Sequence, residues 1–210
     1  MARPDWNEDP YTRRAQREGY LARSAYKLLE LDEKKRLLRT GASALDLGCA
    51  PGAWLQVAGR LVGPKGRIVG IDLQPVRARF GANVRTIVGD IDETPAEALL
   101  AELLALGAPE SALFDCVFSD MAPATGGGGG GSADHFRSVH LCERVLDLLP
   151  GLLRPGGNLA MKVFEGEAYP DLLARTADLF EKARGYKPKA SRGASREMYI
   201  VAHTYRPPTA

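Results

Sequence analysis

Lys162 lies inside an apolar run, Leu159-Ala160-Met161-Lys162-Val163-Phe164. A lysine in such a run either snorkels outward along its stem or serves a site. Three aspartates close similar stretches: Asp72 in Gly70-Ile71-Asp72, Asp90 after Gly89, and Asp120 in Ser119-Asp120-Met121-Ala122-Pro123. A carboxylate at Asp72 could accept both hydroxyls of a ribose, and one at Asp90 the amino group of an adenine. A further stretch reads Asp46-Leu47-Gly48-Cys49-Ala50-Pro51-Gly52-Ala53-Trp54. Glycines at 48 and 52 allow a ligand close to the backbone, and the helix expected next offers free N–H groups to an anion. Taken singly, each of these residues reads as readily as a strand end or a tight turn.

The elements that must hold them alternate between strand and helix. The spacing predicts strands over 42–47, 67–73, 84–88, 114–119, 159–164 and 197–204. Between and before them it predicts helices over 24–38, 54–61, 95–106, 135–149 and 170–184, with Ser24 as N-cap of the first and Pro150-Gly151 closing the fourth. Near-continuous apolar strands separated by helices argue for an α/β fold: a mostly parallel sheet, doubly wound, with helices on both faces. Such sheets bind ligands beyond the carboxyl ends of their strands. Gly48, Asp72, Asp90, Asp120 and Lys162 then fall on one edge, and together they point to a nucleoside cofactor. The dinucleotide spacing GxGxxG is broken, because its middle glycine is missing and Pro51 occupies the turn. A pyrophosphate needs that extra close approach, whereas S-adenosylmethionine, with a small carboxylate and amine, does not. NAD stays as the competing ligand.

With those residues in place, the chain resembles the FtsJ/RrmJ-type RNA ribose 2′-O-methyltransferases. The resemblance rests on Lys27, on DLGCAPGAW at 46–54, on Asp120 in SDMAP, on Lys162 in MKVFEG and on Glu197 in SREMYIVA, in order from about Gly19 to Val201. It implies a Rossmann-like class I methyltransferase fold with a final antiparallel strand, and S-adenosylmethionine as cofactor. It also implies a Lys27-Asp120-Lys162-Glu197 catalytic tetrad, and cofactor contacts from Gly52, Trp54, Asp72, Asp90 and Asp120, beside Gly48 from the turn itself. The implied substrate is a uridine ribose of large-subunit (23S) rRNA, either free or in the assembled subunit. A tRNA or mRNA-cap target, and a non-catalytic RNA-binding assembly factor, are the alternatives. Two departures are visible: Ala53 replaces a second glycine, and the glycine run 126–131 follows SDMAP. That run reads as a linker or as a segment closing over RNA.

The chemistry suits the residues. A ribose hydroxyl attacks a sulfonium methyl group in line, so positioning supplies much of the acceleration. A lysine serves as base only when burial and a neighbouring cation bring its pKa toward roughly 7–8. Lys162 is the expected proton acceptor, with Lys27 as that cation, Asp120 orienting Lys162, and Glu197 holding Lys27 or the ribose. No metal is expected. His135, His140 and His203 form no ligand set, and His135 and His140 read as a solvated helix face.

The 210 residues, 45% hydrophobic and 26% charged, suit one globular domain, and the composition argues against disorder or a fibrous repeat. The expected division is a basic RNA-binding extension at 1–23, the methyltransferase domain at 24–206, and a tail at 207–210. Cys49, Cys116 and Cys142 form no CxxC pair, which argues for a reduced, cytoplasmic protein without a thiol zinc site. Neither a membrane helix nor a secretory signal is expected, and the chain is expected to be a monomer. The net charge of +2 hides an uneven distribution. Residues 11–27, with Arg13, Arg14, Arg17, Arg23 and Lys27 against Glu18, carry +4. Residues 182–196, with Lys182, Arg184, Lys187, Lys189, Arg192 and Arg196, carry +6, leaving −8 elsewhere. These flanks read as an RNA surface: the arginines neutralise phosphates, and Tyr11, Tyr20 and Tyr26 stack on bases.

Overall fold

The computed structural model describes residues 9–123, 132–191 and 195–208. Its elements in chain order are α1 (Pro10–Glu18), α2 (Ala25–Lys35), β1 (Ser43–Leu47), α3 (Ala53–Val62), β2 (Arg67–Asp72), β3 (Val84–Val88), α4 (Ala96–Ala105), β4 (Phe114–Ser119), α5 (Ser132–Leu152), β5 (Leu153–Phe164), α6 (Tyr169–Leu179), β6 (Phe180–Tyr186) and β7 (Glu197–Tyr205). Seven strands form one sheet in the order β3-β2-β1-β4-β5-β7-β6. The first five run parallel, and β7 pairs antiparallel with both β5 and β6. This is the expected α/β architecture with its antiparallel ending.

Alternate strand residues enter two separate cores. Leu45, Leu47, Val117, Leu159, Met161 and Ile200 pack toward α4, α5 and α6. Ala44, Cys116, Phe118, Ala160, Tyr199 and Val201 pack toward α2 and α3. Both faces are covered, so the strands read as continuous apolar runs rather than alternating ones. Leu28 and Leu31 anchor α2 with no exposed surface, each contributing about 1.5–3 kcal/mol of burial. The three cysteines are buried free thiols. None of the described helices is long and apolar enough to cross a membrane.

Several elements depart from the sequence expectation, and β5 begins at Leu153 rather than at 159. The helix expected through 184 ends at Leu179, and Phe180–Tyr186 becomes the edge strand β6. Glu181-Lys182-Ala183-Arg184 has good helix propensity, but pairing with β7 and burial of Phe180 against Tyr205 override it. Helix α5 starts at Ser132 and runs past Pro150 to Leu152. Helix α1 lies in what was expected only as a basic extension. Asp9 caps it by accepting from Thr12 N–H at 3.3 Å, Pro10 starts it, and Gly19 ends it at φ +73°. Asp-Pro before a helix and glycine after it are signals visible in the sequence.

Parallel topology delivers the carboxyl ends of β1, β2, β3, β4 and β5 to a single edge. Strand β7 runs the other way, so Glu197 enters the sheet at that same edge, opposite Phe164, and Tyr199 sits beside Lys162. Helix α2 brings Lys27 over the edge from one face.

Candidate active site

The strand-end residues expected to act together do converge. A cavity of about 230 Å³ at this edge is lined by Gly48, Asp72, Asp90, Asp120 and Met121, among others. Gly48 has φ +81°, and a Cβ there would lie 2.5 Å from Met121 Cγ, so only glycine lets the turn approach the Asp120 loop this closely. Asp72 is aimed by two backbone donors, Ala50 N–H at 2.9 Å and Gln74 N–H at 2.8 Å. Asp90 accepts from Asp92 N–H at 2.9 Å. Each of these carboxylates keeps lone pairs for a ligand. A second groove shares Ala50 and Asp72 and continues past Gln74 and Arg77.

Beside the cavity lies a chain of alternating charge. Lys162 Nζ is 3.0 Å from Asp120 Oδ1 and donates to the Asp120 carbonyl at 2.5 Å. Lys27 Nζ is 3.9 Å from the same Oδ1 and 2.5 Å from Glu197 Oε1. Glu197 also accepts from the Ser191 hydroxyl at 3.1 Å. Two cations and two carboxylates balance, which lets the group sit largely out of water. Burial pushes the Asp120 carboxyl up, but Lys162 and Lys27 outweigh it and hold Asp120 below the ordinary carboxylate range.

Tyr199 links the two halves and is the residue that sequence reasoning missed. Its hydroxyl donates to Asp120 Oδ1 at 2.6 Å and stands 3.3 Å from Glu197 Oε1. Burial, then Asp120 and Glu197, push its phenol well above the usual value, so it remains a donor. Trp54, expected at the cofactor, has its side chain elsewhere. The indole is 3% exposed, donates to Ser24 O at 2.9 Å, and packs between Phe118 and Tyr199. It supports Tyr199 from below and does not line the cavity. Gly52 starts α3 at φ +110°, also off the cavity wall, with Phe80 where a Cβ would point.

Asp46, the fourth residue of β1, is fully buried, and neither carboxylate oxygen has a hydrogen-bond partner. Burial, followed by Asp120 and Asp72, raises it well above the ordinary range, so it is held as the neutral acid. His135 is 2% exposed, which corrects the solvated-face reading. Its Nδ1 donates to Phe164 O at 2.7 Å, and its Nε2 accepts from Ala168 N–H at 3.0 Å, so the ring hydrogen sits on Nδ1. His140 is exposed. Among the described residues, no cluster of histidine, cysteine and acidic side chains could hold a metal ion.

The basic flanks are sorted by their bonds. Arg13 and Arg17 are exposed on α1. Arg14 pairs with Glu18 at 2.7 Å and lies over the Tyr26 ring. Arg23 bonds to Asp9 and to Ala190 O, pinning α1 to the 187–191 segment. Arg196 donates to Glu165 O at 2.5 Å. Arg192 and the glycine run 126–131 lie outside the described residues. Tyr26 is buried, donates to Glu18 at 2.9 Å, and packs on Tyr11 and Tyr20, so it offers no face to a base.

A small pocket of about 170 Å³, lined by Arg23, Ser24, Lys27, Ser195 and Glu197, opens on the Lys27 side of the ion-pair chain. The ion-pair chain therefore separates two openings, one lined by Asp72 and Asp90 and one by Arg23, Lys27 and Glu197.

A mostly parallel sheet with a reversed seventh strand, a glycine turn after β1 and aspartates along its carboxyl edge defines a Rossmann-like methyltransferase. The FtsJ-like methyltransferase profile matches residues 20–205, and the chain belongs to that family. Membership implies S-adenosylmethionine as methyl donor. The chain is 42% identical over 199 residues to ribosomal RNA large subunit methyltransferase E of Pseudomonas fluorescens, covering 94% of this chain and 90% of the relative. The Acinetobacter baumannii protein of that name is 40% identical, covering 92% and 86%. A crystal structure of a Plasmodium falciparum protein described as a ribosomal RNA methyltransferase superposes with a TM-score of 0.75 at 28% identity, covering 89% of this chain and 98% of that one.

Proposed function

We propose that this protein methylates the 2′-hydroxyl of a ribose in 23S rRNA of the large ribosomal subunit, the target being a uridine. The names of the relatives support the substrate. The observation that carries the chemistry is the ion-pair chain standing between the two openings.

The cavity residues fit the methyl donor. Asp72 would hold the ribose hydroxyls and Asp90 the adenine amino group, while Gly48 leaves the turn open to the methionine end. Bound S-adenosylmethionine supplies a methyl group on a sulfonium, open to in-line attack. Lys162, as the amine, accepts the proton that the 2′-oxygen gives up. The ammonium so formed is held by Asp120, 3.0 Å away. Tyr199 donates to Asp120 and keeps that carboxylate turned toward Lys162. Lys27 and Glu197 form the wall of the second pocket, where the acceptor ribose enters. Arg13 and Arg17 on α1 are free to meet phosphates, whereas Arg23 and Arg196 act chiefly by fixing the segments around that pocket.

The test is labelled methyl transfer to large subunits from cells lacking the protein, with the product mapped by resistance to alkaline cleavage. A 2′-O-methylated uridine in 23S rRNA is expected. Label in a base, or only in tRNA or cap RNA, would overturn the reading. Lys162→Ala should abolish transfer while retaining donor binding, and full activity in that variant would remove Lys162 as proton acceptor.

A further inference from the structure

Strand β6 exposes a set of cations remote from the catalytic edge. Lys182 pairs in register with His203, and Arg184 with Val201. Val201 packs toward α2 and α3, so both basic side chains project on the α2 face of the sheet. Lys35, in the last turn of α2, lies on the same face with its Nζ 5.0 Å from the centre of the Tyr186 ring. Lys182 and Arg184 are exposed. Nearby acids are engaged elsewhere: Glu30 accepts from Tyr186 OH and Lys189 N–H, Asp32 from Leu38 N–H, Glu33 lies beside Lys34, and Glu181 pairs with Arg206. Among the described residues, no carboxylate comes within ion-pair distance of Lys35, Lys182 or Arg184. His203, between them, is bound to Asn158 Oδ1 at 3.0 Å, and burial, then Lys35 and Lys182, hold its charged form down. These cations repel one another, and an anion would relieve that repulsion.

We propose that Lys35, Lys182 and Arg184 form a second RNA contact, binding the phosphate backbone of a segment distant from the methylated nucleotide. The inference rests on the rRNA reading above and narrows it. At ~3.3 Å per residue, His203 lies about 20 Å along β7 from Glu197, several phosphates away from the reacting ribose. The RNA bound there must extend several nucleotides past the target or fold back over this face. Lys182 and Arg184 stand two residues apart on one face, a spacing that suits successive phosphates.

The test compares wild type with the triple variant Lys35→Gln, Lys182→Gln, Arg184→Gln on three substrates: large subunits, deproteinised 23S rRNA, and a short stem-loop containing the target. Thermal unfolding confirms that the variant folds, and Lys65→Gln, in the turn before β2, controls for charge alone. For both large substrates, KM should rise about tenfold and the slope of log affinity against log salt should flatten by roughly two. Turnover at saturating RNA, donor affinity and the stem-loop KM should stay within twofold. Unchanged salt slopes would overturn the proposal. So would a loss seen with subunits but not with deproteinised rRNA, which would assign the strip to an acidic ribosomal protein. If wild type methylates none of the three, the rRNA reading fails, and filter binding of 23S rRNA at varied salt still decides the strip.

Discussion

Lys27→Ala removes a cation that touches Glu197 at 2.5 Å and stands 3.9 Å from Asp120. Both carboxylates are largely enclosed, with side chains 13% and 16% exposed. A hydrogen bond between charged groups contributes about 1.5–3 kcal/mol, and unpairing a fully buried charge costs about 3–5 kcal/mol. Glu197 would keep Ser191 Oγ at 3.1 Å and Tyr199 OH at 3.3 Å as neutral partners. The cost therefore falls toward the lower bound, about 2 kcal/mol. In a domain of this size that lowers Tm by about 4–8 °C. Glu197→Ala strands Lys27, whose side chain is 11% exposed, and should cost a similar amount. The double variant loses both ends together, so it should cost about 2 kcal/mol rather than 4, a coupling well above the 0.3–0.5 kcal/mol scatter of independent sites. Urea unfolding of the four proteins measures this cycle. Methyl transfer under single turnover should fall at least about tenfold in each single variant if the pair shapes the acceptor pocket. Additive unfolding free energies would refute the pairing.

Three other outcomes follow from the geometry. Asp72→Ala should weaken donor binding about 10–100-fold by calorimetry, the worth of one or two charged hydrogen bonds, and an unchanged Kd would remove Asp72 from the site. Gly48→Ala forces a side chain into φ +81° and against Met121, and should destabilise by about 1–3 kcal/mol; an unaltered Tm would deny the close approach. Asp46 keeps its proton in the folded state where the unfolded chain has released it, because its folded value is raised above the ordinary 3.8. Its contribution to stability therefore declines as pH rises above that ordinary value, up to the raised folded one. Asp46→Asn abolishes the decline, so the stability of the variant relative to wild type should climb as pH rises above the ordinary carboxylate value. A flat difference in urea unfolding would show that Asp46 is not held neutral.

The strand-end slots were legible because a parallel sheet covered on both faces writes its strands as unbroken apolar runs, which makes Asp72, Asp120 and Lys162 conspicuous. The meeting of Lys27 with Glu197 was legible only through motif resemblance, since nothing local joins residues so far apart in the chain. Tyr199 reads in sequence as a core aromatic, and only the β5–β7 register places its hydroxyl on Asp120. Trp54 shows the opposite case, a residue next to a glycine turn whose indole belongs to the core. Strand β6 was hidden because its residues favour a helix until β7 offers them a partner. Tyr26 reads in sequence as a face for a base because local charge says nothing of its packing on Tyr11 and Tyr20.

The ring of His135 ties the first turn of α5 to both ends of the loop that follows Phe164, and Gly166 passes where a Cβ would sit 2.5 Å from that ring. The strand carrying Lys162 and the start of α5 are thus braced as one rigid frame. A single inserted residue between Phe164 and Ala168 would break that brace and loosen Lys162 from α5. Among descendants of this chain, the segment between Phe164 and Ala168 is not free to vary in length.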